Sequence, residues 1–221
     1  MKKYIILTVL FIMPICAYLF FATGVNQFAQ LPTLTVGVNE LPEGKTWSGN
    51  PIVLKDKITV IGFPGFDMFR DRGNAFNLDQ KIYKRYRDFN DFQVVFVAPI
   101  GSEEEVKRVR AELEPISDLE KWDYLFLEPE EITAFYDSFK IHGKLDKNLG
   151  TPDVFILDKE RNLRGRKGKN HKGEEEYREG YNTISAADLH NEMMDDMKVI
   201  LAEYRLALKK YNKIVSDTEI K

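Results

Sequence analysis

The stretch that most limits what this chain can fold into runs from Ile58 to Phe76. Ile58-Thr59-Val60-Ile61-Gly62-Phe63 is short, apolar and β-branched, it breaks at Pro64-Gly65, and the residues beyond resume with helical spacing. Strand, loop and helix in that order form the unit of an open α/β sheet. In such sheets the loop leaving the carboxyl end of a strand is the usual seat of ligands and chemistry. Here that loop carries Phe66, Asp67, Met68 and Arg70 but no Cys, His or Ser, so the fold is more legible than the activity.

The unit repeats downstream. Ala75, Leu78, Ile82, Tyr86 and Phe89 share one helical face, and Gln93 to Pro99 reads as a strand covered on both sides. Ser102 with Glu105 predicts a capping box opening a helix through Val106, Val109 and Leu113. Trp122 to Leu127 is a further strand, followed by a helix that starts at Pro129 and buries Ile132, Phe135, Tyr136 and Phe139. After a polar loop from Lys140 to Gly150, Thr151 to Asp158 and Leu163 to Arg166 read as an antiparallel hairpin. A charged loop from Lys167 to Tyr181 leads to Ser185, which caps a helix running to about Asn212 with Leu189, Met193, Ile200, Tyr204 and Leu208 as its core stripe. Upstream, Thr33 to Val36 alternates like a short edge strand, and Pro51 to Leu54 reads as a second one.

With 221 residues and 43% hydrophobic content, the chain suffices for one sizeable domain. The 35 acidic residues against 32 basic give a net charge of −3, so no basic field recruits nucleic acid. The single cysteine, Cys16, leaves no internal disulfide, no Cys-rich metal cluster and no dithiol pair for exchange chemistry.

Residues 4–23 carry no charge and follow Lys2 and Lys3. This is the length of a membrane span, ~20 residues at ~1.5 Å each. The lysines predict a cytoplasmic N-terminus, hence a single-pass cell-membrane protein whose domain faces the periplasm or the outside. The rival reading is a signal peptide cleaved near Ala22-Thr23-Gly24, which would release a secreted protein. Cys16 reads as a lipid-facing or packed residue, because Pro14-Ile15 before it is unlike a lipoprotein acylation site. The expected divisions are 1–24 anchor or signal, 25–50 linker with short edge strands, 51–212 domain and 213–221 frayed tail.

The element order resembles the thioredoxin plan with one extra strand, a three-layer α/β sandwich around a central mixed sheet, here preceded by a transmembrane helix. The chain is most similar to the Sco/SenC branch, on three features: the anchor with its Leu31-Pro32 segment, the hairpin at 155–165, and the Met197-Lys198-Val199-Ile200-Leu201-Ala202-Glu203-Tyr204 helix. That resemblance implies a membrane-anchored copper chaperone or thiol-disulfide protein of cytochrome oxidase assembly, and a structural cis proline at Pro152. The ligands of that family, a CxxxC pair and a histidine, are missing: the cysteine positions fall near Phe66 and Arg70, and no histidine stands near Gly150-Thr151. Soft thiolates select Cu(I) and supply redox nucleophiles, so neither activity carries over by residue.

The expectation is therefore a degenerate-site loop at Phe66, Asp67 and Arg70, no catalytic residue, no cofactor, and action by binding a protein, plausibly an oxidase assembly component. The alternative is a methionine-based copper site drawn from Met68, His190, Met193, Met194 and Met197; ordinary packing also explains all four methionines. Asp67, Arg70, Asp71 and Arg72 could instead form an acid/base cluster. His142 and His171 lie in expected loops, and the basic run Arg161 to Lys172, followed by Glu174 to Glu176, reads as a self-neutralising surface.

Overall fold

The computed structural model describes residues 10–16, 18, 30–169 and 173–219, with side chains of the last helix described to residue 207. The expected span at 4–23 lies mostly outside the described residues; its described part, 10–16 and 18, is helical with Leu10, Phe11, Ile12, Met13, Ile15 and Tyr18 exposed. Among the described residues no helix is long and apolar enough to cross a membrane.

Ten strands follow in chain order: β1 (Thr33–Thr35), β2 (Lys45–Thr46), β3 (Ile58–Pro64), β4 (Phe92–Pro99), β5 (Trp122–Leu127), β6 (Gly150–Leu157), β7 (Leu163–Arg164), β8 (Arg166–Lys169), β9 (Glu175–Arg178) and β10 (Tyr181–Asn182). Beyond the helical residues 10–16 and 18, the helices among the described residues are α1 (73–86), α2 (Glu103–Leu113), α3 (Pro129–Asp137) and α4 (186–219). The main sheet runs β1-β7-β6-β3-β4-β5-β2, with β10 on β6. Its centre, β3, β4 and β5, is parallel, and the flanking pairs are antiparallel, as a mixed sheet requires.

Side chains alternate across a strand, so each strand supplies two layers. Val60, Val94, Phe96, Trp122, Tyr124 and Ile156 pack beneath α1, α2 and α4. Ile61, Phe63, Val97, Leu125, Phe155 and Leu157 pack beneath α3. Phe63 meets Tyr136 edge-on at 5.0 Å, and Tyr136, Phe139 and Phe155 close the same cluster. The aromatic cluster gives this face a defined geometry beyond its buried area.

Both long helices contain a π turn, Asp79–Tyr83 in α1 and Leu189–Met193 in α4. The extra residue lets Ile82, Tyr83 and Tyr86 all turn inward. Phe89, expected on that stripe, is exposed because the helix ends at Tyr86. Ser185 caps α4 as expected, its oxygen accepting the Asp188 N–H at 3.1 Å.

Several expectations are corrected. Ser102 does not form the capping box: its hydroxyl donates to the Pro99 carbonyl, and Glu105 instead accepts the Phe69 N–H at 3.0 Å. A tertiary partner outbid the local one. The capping box belongs to α3, between Glu128 and Glu131. Pro51 to Leu54 is no strand, because the Leu54 N–H goes to the Glu40 carboxylate. The described part of the expected linker belongs to the domain: β1 and β2 are the outermost strands, and Leu31 and Val38 are buried. The charged loop after Lys167 is a β8–β9 hairpin in which Lys169 opposes Glu175 while Arg166 opposes Arg178 and pairs diagonally with Glu176. The helix also continues through the expected tail, to Glu219.

Pro152 is not a cis proline, since no cis peptide bond occurs among the described residues. Thr151 and Pro152 continue the extended course of β6, the conformation a residue before proline prefers, with the trans bond favoured by ~0.5–1 kcal/mol.

Candidate functional site

A pocket of about 410 Å³ opens at the carboxyl end of β3, where the strand-loop-helix unit places it. Gly65 makes the exit from the strand possible. Its φ is +65°, and a Cβ there would lie 2.4 Å from the Asn148 carbonyl oxygen, so only glycine fits. The 65–72 loop therefore lies directly against the 146–150 turn. Asp67 seals this contact by accepting the Asn148 side-chain N–H at 2.6 Å.

Arg70 sits over the mouth, 2.9 Å from Asp67 and hydrogen-bonded twice to Asp71 at 3.1 Å. The Asp71 hydrogen bond, then the Asp67 charge, raises the guanidinium above its ordinary value. Arg72 takes no part: it pairs with Glu112 and covers one face of the Phe69 ring, with Arg108 on that ring at 3.6 Å. Phe69 thus pins the loop to α2. The opposite wall, Thr183 and Ile184, is held by the Asn77 amide and by Thr183 bonding the Pro152 carbonyl. Both the loop wall and the Thr183–Ile184 wall are thus held by hydrogen bonds to neighbouring segments.

The floor is apolar. Phe96 and Tyr124 stack at 5.4 Å and 22°, with Met68, Ala75 and Val154 beside them. Burial pushes the Tyr124 hydroxyl up to about 12, and among the described residues neither Tyr124 OH nor Trp122 Nε1 has a partner at hydrogen-bond geometry.

The expected site residues separate into two groups. Asp67, Met68, Arg70 and Asp71 meet at the pocket, while Phe66 stands 43% exposed beside it. Met193, Met194 and Met197 are packed in the core with Leu189 and Ile200, and His190 is exposed. His142 is exposed and stacks on Tyr177 at 5.0 Å; His171 lies outside the described residues. Of the basic run, Arg164 and Arg166 are enclosed by carboxylates. Asn148, Thr183 and Ile184 were not legible as site residues, because their place in the pocket depends on how β6 registers against β3 and β10 against β6. The positive-φ Gly65 was the one local signal that another chain segment passes close by.

The donors lining the pocket, one thioether and several carboxylates, do not fit Cu(I), which soft thiolate and thioether sets select. Among the described residues no group of three or more His, Cys, Asp and Glu side chains could hold a metal ion.

No protein-family model matches the chain, and no curated protein matches it. Solved structures do. BsSco, a member of the Sco family of cytochrome c oxidase assembly proteins with a disulfide switch, is 14% identical, covers 77% of this chain and 94% of its own, and has a TM-score of 0.50. The thioredoxin domain of a thiol-disulfide oxidoreductase from Bacteroides vulgatus is 19% identical over 75% of this chain and 98% of its own, with a TM-score of 0.45. Copper-bound ScoI from Arabidopsis thaliana is 18% identical over 73% and 98%, with a TM-score of 0.44. Identities this low speak to fold alone. The sheet order, the helices on both of its faces and the likeness to BsSco together give the chain a mixed α/β, thioredoxin-like fold.

Proposed function

We propose that this chain is a membrane-tethered, outward-facing thioredoxin-like protein that works by binding another protein at the carboxyl end of β3, in the setting of cytochrome oxidase assembly. The tether is the uncharged stretch 4–23. The oxidase setting comes from the likeness to BsSco and from the Sco/SenC resemblance of the sequence.

The observation that carries the binding role is the anchored pocket, built from Asp67, Arg70 and Asn148 where that family keeps thiols. A chain whose single cysteine is Cys16 cannot run a dithiol cycle by itself, so the site works by recognition in place of thiol-disulfide exchange. Copper handling through Met68 is the competing reading, and the donor set of the pocket speaks against it.

Capture of the full chain from detergent-solubilised membranes tests the proposal. The expected result is co-purification of an oxidase assembly component, weakened by filling the pocket with Ala75→Leu. Stoichiometric Cu(I) binding tighter than about micromolar, abolished by Met68→Leu, would overturn it in favour of a chaperone.

A further inference from the structure

The pocket's own chemistry narrows what enters it, and this step rests on the binding role just proposed. Phe96 and Tyr124 form a flat aromatic wall, with Met68, Ala75 and Val154 completing an apolar floor. Such a surface favours an aromatic or long aliphatic group. The charged residues lining the mouth are Asp67, Asp71 and Asp146 against Arg70, three carboxylates to one guanidinium. Arg70 is shared between Asp67 and Asp71, and Asp146 is held by the backbone N–H groups of Asn148 and Gly150 at 2.8 Å each. The rim therefore keeps a negative surplus that its own cation does not cancel.

Apolar surface also continues outside the cavity. Ile184 on the wall is 65% exposed and Phe66 beside the mouth is 43% exposed, so apolar side chains reach solvent outside the cavity itself. We infer that the pocket is a socket for one apolar anchor side chain of a partner protein, aromatic or long aliphatic, with basic residues on either side of it. The anchor takes the desolvated centre, Phe66 and Ile184 form the surrounding apolar ring, and the rim carboxylates select the flanking charge.

Three nine-residue peptides, titrated into the purified full chain, test this. One has a central phenylalanine flanked by lysines, the second has the same centre flanked by glutamates, and the third has alanine between the lysines. The lysine-flanked phenylalanine peptide is expected to bind about tenfold tighter than either control, and more weakly as salt rises. Ala75→Leu should abolish its binding. Asp71→Lys, at an exposed rim position that spares the core, should erase the preference for lysine over glutamate flanks. Equal binding of the lysine and glutamate peptides, or binding unchanged in both variants, overturns the socket. If capture from membranes stays sensitive to Ala75→Leu while the peptides fail to discriminate, the binding role stands and the assigned anchor chemistry is wrong.

Discussion

Two arginine-carboxylate networks do opposite work in this molecule. Arg70 at the pocket mouth is 66% exposed and lies on a loop. Arg166 is 22% exposed and reaches from β8 across to α4, where Asp196 accepts at 2.8 Å, Glu192 accepts beside it, and Glu176 accepts at 3.0 Å from β9. Behind it Asp196 also accepts the Tyr181 hydroxyl at 2.6 Å; burial, then Asp196, keeps that phenol protonated well above its usual range. A second enclosed arginine, Arg164, ties Asp158 to Glu203 and donates to the Leu31 carbonyl, locking β7, α4 and the start of the domain together. Charges of the same types thus line an open rim where water remains and hold the architecture where it has been excluded. The difference is burial, because desolvation makes a lost partner costly.

Removing an enclosed arginine should therefore have the largest effect. Arg164→Met takes the shared cation from buried Asp158, which keeps only the N–H groups of Glu160 and Asn162, and from Glu203, and removes the donor to the Leu31 carbonyl; it is expected to cost about 3–5 kcal/mol of stability in denaturant unfolding. Arg166→Met should cost less, about 2–3 kcal/mol, because Arg166 is 22% exposed against 8% for Arg164; limited proteolysis should then cut first in the β8–β9 hairpin. Arg70→Ala should leave the melting temperature within about 2 °C of the parent while shifting the selectivity of the pocket for flanking charge. A melting temperature lowered as far as that of Arg166→Met would break the contrast.

The smallest effect concerns Asp153, beside the hairpin. Burial, then the Asp188 and Glu179 charges, raises its carboxyl above the ordinary 3.8, with Arg178 opposing. The folded chain thus holds this proton more tightly than the unfolded chain. The stabilisation is complete below the unfolded value and is lost as pH rises through the raised one. Asp153→Asn should flatten the pH dependence of stability in that range and leave the protein slightly more stable at neutral pH, as read by melting temperature against pH.

Much of the fold was written locally. The β-branched runs became β3, β4 and β6, the period of three to four gave the inward faces of α2 and α3, and Ser185 capped α4, each because the signal and its consequence lie within a few residues. The site was less legible. Asp67 and Arg70 were visible as loop residues, but Asn148, which holds Asp67, lies 81 positions away, and Ile184 enters through a strand of two residues. The Ser102–Glu105 pattern illustrates the limit: the spacing was right for a cap, yet Glu105 was claimed by Phe69, 36 positions distant in sequence.

By itself the sequence determined the continuously apolar strands that make a sheet covered on both faces, the lack of a dithiol pair, and the residue types that stand in its place. Only the tertiary structure decided that Gly65 would bring the 65–72 loop against Asn148, that an aromatic wall would underlie it, and that one arginine would face water while two others were enclosed. The physical reason is range. Strand alternation and helix periodicity are properties of neighbouring residues, whereas burial and ion pairing depend on which distant segments the sheet register sets side by side.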